Sequence, residues 1–201
     1  MGMKRGTVAL VVFLVVVLLG GFSCVSSYNR LIALDQETQK AWAQVENVYQ
    51  RRADLIPNLV ETVKGAANFE KDTIIAVTEA RAKVGQVNTG GKPPATAEDF
   101  QKYQQAQDQL SGALSRLLVV SEAYPDLKAT ANFKELQSQL EGTENRIAVE
   151  RMRFNEAAQA FNTKLNSFPT NIMAGLFGGK FHDKQFFHAV AGSENAPKVK
   201  F

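Results

Sequence analysis

WAQVENVYQRRADLIPNLVETV, residues 42–63, carries Trp42, Tyr49, Ile56 and Val63 at intervals of seven. Upstream, Leu34, Thr38, Ala41, Val45 and Val48 follow at steps of three and four. A strand would alternate every second residue, so this spacing is that of a helix packing on other helices. Within the stretch, RRADLIPN at 51–58 predicts an interruption. Asp54 can accept bonds from free backbone N–H groups at a helix start, and Pro57 then falls in the first turn, where its missing N–H costs nothing. The expected boundary is near Arg52–Asp54, with a second helix from Leu55 to about Val84. The alternative is one helix kinked at Pro57.

Working towards the N-terminus, Lys4 and Arg5 precede TVALVVFLVVVLLGGF at 7–22, and no charge follows until Arg30. Residues 6–29 exceed the roughly 20 needed to cross a bilayer as a helix, whose backbone groups satisfy one another without water. An uncleaved single-pass anchor in the bacterial inner membrane is expected. Small residues around Phe22 leave signal cleavage conceivable. Cys24 is the candidate for lipidation, although Gly21 and Phe22 depart from the lipoprotein pattern. Lys4 and Arg5 predict a cytoplasmic N-terminus and an extracytoplasmic bundle.

Towards the C-terminus, GQVNTGGKPP at 85–94 reads as a loop. Thr96 with Asp99 predicts a capped third helix, striped by Phe100, Tyr103, Ala106, Leu110, Ala113, Leu117, Val120 and Tyr124. Tyr124-Pro125 ends it. Asn132 with Glu135 predicts the cap of a fourth, striped by Phe133, Leu136, Leu140, Ile147, Phe154, Ala158, Phe161, Leu165 and Phe168. Between Leu140 and Phe154 this stripe passes through Thr143 and then Glu150 or Arg151, polar residues able to fix register. The fold class read from this pattern is all-α: an N-terminal transmembrane helix (1–29), an antiparallel up-and-down four-helix bundle (30–168) and a Phe-rich C-terminal tail (169–201).

Catalytic templates fail for want of parts. No histidine precedes His182, so a Ser–His or Cys–His dyad cannot form within the bundle. A di-iron bundle needs a Glu-x-x-His pair on each of two helices, and there is none. With a single cysteine and two histidines, no metal cluster of thiolates and imidazoles can be built. No cofactor is expected. The formal charge of +3 is spread thinly, without a basic run interleaved with aromatics, which argues against nucleic acid as a partner.

Two constellations remain. Arg51, Arg52, Asp54, Asn58 and Glu61 form the densest polar group, and Arg52 sits where the heptad frame calls for an apolar residue. Such an arginine must snorkel out, pair with a carboxylate or meet a partner. The corner is therefore either structural, with Arg51 or Arg52 paired to Asp54 or Glu144, or partner-facing. The second is the tail, FPTNIMAGLFGGKFHDKQFF at 168–187, with Phe177, Phe181, Phe186 and Phe187. It covers an open seam of the bundle or lies in the membrane interface.

Several stretches together resemble the LemA family of bacterial membrane proteins: YNRLIALDQ from Tyr28, WAQVENVYQRRADLIPNLVETVKG from Trp42, EARAKV from Glu79, YPDLKATANFKELQSQLEGTENRIAVERMRFNEAAQAFN from Tyr124 and FPTNIMAGLF from Phe168. The resemblance implies an N-terminal membrane helix, a bundle of four helices and a break near Asp54. It implies no mechanism. Proteins of the family are described with the short N-terminus outside the cell, opposite to the orientation Lys4 and Arg5 predict. The expected function is a non-enzymatic scaffold or interaction protein, bound to the bilayer through its first helix and to another envelope protein. The alternative is a lipid-interacting or membrane-remodelling factor acting through the tail.

Overall fold

The computed structural model describes residues 5–66, 69–87, 89–176 and 180–189. It is all-helical, with no strand among the described residues. In order come α1 (Arg5–Lys64), α2 (Lys71–Gln86), α3 (Ala97–Ser121), the one-turn α4 (Pro125–Ala129), α5 (Ala131–Asn166) and the short α6 (Thr170–Leu176). Of the described residues, a first unit takes those up to Thr38 together with those from Glu156 to Lys184; a second takes Gln39–Asn155 and those from Gln185 on.

The expected break near Arg52–Asp54 is not there. α1 runs unbroken from the apolar segment through Pro57 to Lys64. A proline removes the N–H that would bond the carbonyl four residues earlier, here that of Ala53. The Arg81 side chain of α2 supplies a substitute: its Nε donates to the Ala53 carbonyl at 3.2 Å. Asp54 caps nothing. It accepts from Gln50 Nε2 at 2.7 Å, one turn earlier on the exposed surface. The helix from Leu55 to Val84 is likewise corrected. The chain leaves the helical conformation after Lys64, at Gly65, and α2 starts at Lys71.

The Thr96 cap is present: Thr96 Oγ1 accepts from the Asp99 backbone N–H at 3.1 Å. In the preceding loop, Gly90 and Gly91 take φ of 59° and 76°, a region that favours glycine. The cap of α5 is Thr130 rather than Asn132, its Oγ1 accepting from the Phe133 N–H at 3.4 Å. Thr130 also bonds back to the Leu127 carbonyl, which ties α4 to the start of α5.

In the second unit, Ile56, Leu59 and Val63 of α1 pack with Val77 and Ala80 of α2, Leu110, Leu114 and Leu117 of α3, and Phe133 and Leu140 of α5. Beside this aliphatic core lies an aromatic one. Trp42, fully buried, has Tyr103 at 5.2 Å, Phe154 at 5.3 Å and Phe187 at 5.9 Å between ring centroids. In the first unit, Leu31 and Leu34 of α1 cluster with Phe161 and Leu165 of α5, with Ala174 and Phe181 packed against them. Phe168, expected as the last rung of the α5 stripe, is 78% exposed instead. α5 has ended at Asn166, so Phe168 no longer shares its phase.

Candidate interaction site

Two neighbouring arginines in the second unit take opposite roles, because adjacent helical positions point about 100° apart. Arg51 is exposed, whereas Arg52 has no exposed surface. Position 52 continues the heptad of Val45 and Leu59, both fully buried, which carries it into the interior. There its Nη1 donates to Glu144 Oε1 at 2.8 Å and to Ser111 Oγ at 2.6 Å. Its Nη2 donates to the Gln107 side-chain oxygen and to the Gln107 carbonyl at 3.3 Å. The guanidinium also lies over the Tyr49 ring, 5.2 Å from its centre. Ser111 closes the ring of contacts by donating to Glu144 Oε2 at 3.3 Å.

A second polar layer adjoins the first. Arg151 of α5 donates from Nε to the Tyr49 hydroxyl at 2.6 Å and from Nη2 to Asp108 Oδ1 at 2.8 Å. Burial pushes the Tyr49 phenol above the usual tyrosine range, and the charges of Arg151 and Arg52 only partly oppose this. Tyr103 is shifted the same way, by burial first and then by Tyr49 and Glu46. For Arg151, burial disfavours the charge, but the Tyr49 phenolate that forms at high pH, together with Asp108, outweighs it and raises the pKa further. Arg151 therefore stays charged, and both phenols stay neutral through the physiological range. Thr143, also buried, bonds back to the Gln139 carbonyl at 2.7 Å.

The other residues of the predicted corner face outwards. Arg51, Asp54, Asn58 and Glu61 follow at steps of three, four and three, and all are exposed. They form one stripe of α1. At its end Glu61, paired with Lys64 at 2.8 Å, borders a cleft of about 630 Å³ that Gly65, Tyr124, Asp126 and Leu127 help to line. The structure thus divides the constellation: four members share a surface, and Arg52 does not join them. Sequence reasoning missed Gln107, Ser111, Asp108 and this cleft. The only signal for the interior layer was the charge on the heptad frame at position 52 and the polar gap in the α5 stripe.

The tail is held by side-chain amides. In the second unit, Asn155 takes both backbone groups of Phe187: its Oδ1 accepts from the N–H at 2.9 Å and its Nδ2 donates to the C=O at 2.8 Å. Gln104 does the same for His188, at 3.2 and 2.7 Å. Phe187 is thereby buried in the aromatic core, and Phe186 is half-buried. In the first unit, Asn162 pairs likewise with Lys184, at 2.7 and 2.9 Å, while Phe181 meets Tyr28 edge-on at 5.8 Å. Phe177 lies outside the described residues. Cys24 is a half-buried free thiol within α1. Among the described residues, no group of three or more His, Cys, Asp or Glu side chains is placed to hold a metal ion.

α1 also contains, from Gly6 on, a segment long and apolar enough to cross a membrane, with a mean hydropathy of 2.9 and no burial in its most apolar window. Together these features define a class, the membrane-associated helical proteins with one N-terminal apolar segment. The chain belongs to the LemA family, whose pattern matches residues 41–201. It is 26% identical over 169 residues to magnetosome protein MamQ 2 of Paramagnetospirillum magneticum, covering 76% of this chain and 62% of that relative's length. It is also 26% identical over 204 residues to magnetosome protein MamQ of Magnetospirillum gryphiswaldense, covering 90% and 75%. Protein LemA of Metamycoplasma hominis is 26% identical over 153 residues, covering 76% and 66%.

Proposed function

We propose that this chain is a membrane-anchored, non-enzymatic interaction protein of the bacterial envelope. It holds an antiparallel up-and-down four-helix bundle outside the cytoplasm and presents one face of α1 to another envelope protein. The observation that carries this reading is the split of the Arg51–Glu61 constellation. The interior polar groups are committed to one another, Arg52 to Glu144 and Arg151 to Asp108. The exposed stripe of Arg51, Asp54, Asn58 and Glu61 leads into a cleft whose lining includes Glu61, Asp126 and the apolar Leu127, Pro125 and Ala123. Two carboxylates beside an apolar wall suit a partner segment that combines basic and hydrophobic side chains. The MamQ relatives are named as magnetosome proteins, and the membrane association proposed here fits that naming.

The test is position-specific photocrosslinking in cells. A photoreactive residue at Asn58 should give a discrete adduct with an envelope protein, and the same residue at the exposed Gln105 of α3 should not. Combining Glu61→Lys with Asp126→Lys should abolish the Asn58 adduct while leaving the protein folded. Equal adducts at the two positions, or an adduct indifferent to charge reversal, would contradict this assignment of the surface.

A further inference from the structure

We infer that the first unit carries a second membrane contact besides the apolar segment: a collar of Phe168 and Ile172 that rests in the lipid interface, with Tyr28, Arg30, Lys164 and Lys180 at headgroup level. This rests on the anchor reading of residues 6–29. The packing sets the depth. Residues 6–22 of α1 are exposed throughout, but Ser23 and Cys24 are half-buried and Ser27 is buried, so neighbours reach the helix within the last two turns of the uncharged run. Farther along, Leu31 and Leu34 hold the end of α5 through Phe161 and Leu165. Phe168 follows three residues after Leu165, and α6 returns against the same cluster through Ala174. The Lys180 ammonium donates to the Tyr28 hydroxyl at 2.7 Å. The turn from Phe168 and the start of α6 thus lie within about a turn or two of where the uncharged run ends at Asn29.

At that depth two large apolar side chains stand on the surface. Phe168 is 78% exposed and Ile172 63%, although three other apolar residues of this unit, Leu31, Leu34 and Phe161, are buried almost completely. Polar companions stand where an interface needs them. Lys180 lies over the rings of Tyr28 and Phe181, at 5.1 and 5.8 Å from their centres. Arg30 and Lys164 border a shallow groove with Thr163 and Ser167. Tyrosine and lysine with an apolar body and a polar tip are the residues that settle at a membrane–water boundary. The occupant is therefore the phospholipid bilayer that the apolar segment enters, since the collar is continuous with that segment on the same unit.

Depth-dependent quenching of the full chain in vesicles tests this. In a Cys24→Ser background, a fluorophore is attached at Phe168→Cys, Ile172→Cys, Val15→Cys or Gln105→Cys. Phospholipids brominated at shallow acyl carbons should reduce emission at 168 and 172 by about twofold, and aqueous iodide should have little effect there. Position 15 should be quenched by deeply brominated lipid, and 105 by iodide alone. Quenching of 168 and 172 by iodide, with 15 still quenched by lipid, overturns the collar and keeps the anchor. Protection of 168 and 172 from both quenchers also overturns it, because a protein surface then covers them. Failure of lipid to quench position 15 overturns the anchor reading, and the collar with it.

Discussion

The second unit buries an arginine, and the first exposes valines, leucines and phenylalanines. Arg52 has no exposed surface, whereas Leu18 is 71% exposed, Phe22 77% and Phe168 78%. In water alone either arrangement would be costly. Each is stable for a different reason. The interior charge is offset within the protein, by Glu144, Gln107, Ser111 and the face of Tyr49. The exterior apolar surface has no such compensation among the described residues, and an apolar solvent would offset its exposure. On the anchor reading, the contrast corresponds to two environments in one chain, an aqueous one for a helical unit with a polar layer inside its apolar core and a lipid one for an apolar helix.

The largest effect expected in the second unit comes from its aromatic core. Trp42→Ala should destabilise the protein by about 3–5 kcal/mol, read as a fall in the denaturant midpoint of detergent-solubilised chain. A loss below about 1 kcal/mol would mean that the ring stack around Trp42 contributes little. Next comes Arg52→Ala. Glu144 retains access to water, so its charge is not stranded, but Gln107 and the cavity left behind are not relieved. The expected cost is about 2–4 kcal/mol. A stable Arg52→Ala protein would remove the structural role assigned to this side chain.

Alkaline titration sharpens the same contrast. The folded pKa values of Tyr49 and Tyr103 are raised above their unfolded values near 10. Below that pH both states hold the proton and nothing is lost. Above it the unfolded chain releases the proton first, so stability falls as pH rises, by about 1.4 kcal/mol per unit for each phenol. Tyr49 and Tyr103 should ionise late in an ultraviolet titration, and Tyr49→Phe should remove one of those late steps. The smallest effect belongs to the exposed region. Phe168→Ala should change stability in detergent by less than about 0.5 kcal/mol, since the ring makes no core. A loss comparable to that at Trp42 would place Phe168 inside a protein interior.

Local periodicity was readable, and so was one of the three expected caps; Asp54 caps nothing, and Thr130 stands where Asn132 was expected. Every seventh residue from Trp42 to Val63 is buried, and Thr96 caps α3. The position of the first break was not. Proline after an acidic residue reads as a helix start, but the bond Pro57 forgoes is replaced by Arg81, 28 residues from Ala53, and no local rule registers a partner that distant. Gly65, the actual exit from α1, stands in a run of small residues without a proline or charge cluster to mark it. The oddity of Arg52 was legible; Gln107 and Ser111 as its partners were not, because exposed and buried glutamines look alike in a helical pattern. The tail's capture by Asn155, Asn162 and Gln104 was hidden for the same reason.

The most direct test of two environments in one chain is hydrogen exchange of the full protein in lipid nanodiscs. Residues 6–22 are helical and exposed, with none of the described residues covering them, so in water their amides would open and exchange quickly. In the nanodisc, amides from about Val8 to Phe22 should be protected as long as those of Leu110, Leu114 and Leu117 in the core of α3. Exchange of that segment as rapid as at a fraying helix end would contradict the account, because lipid would then not be the solvent of the exposed apolar helix.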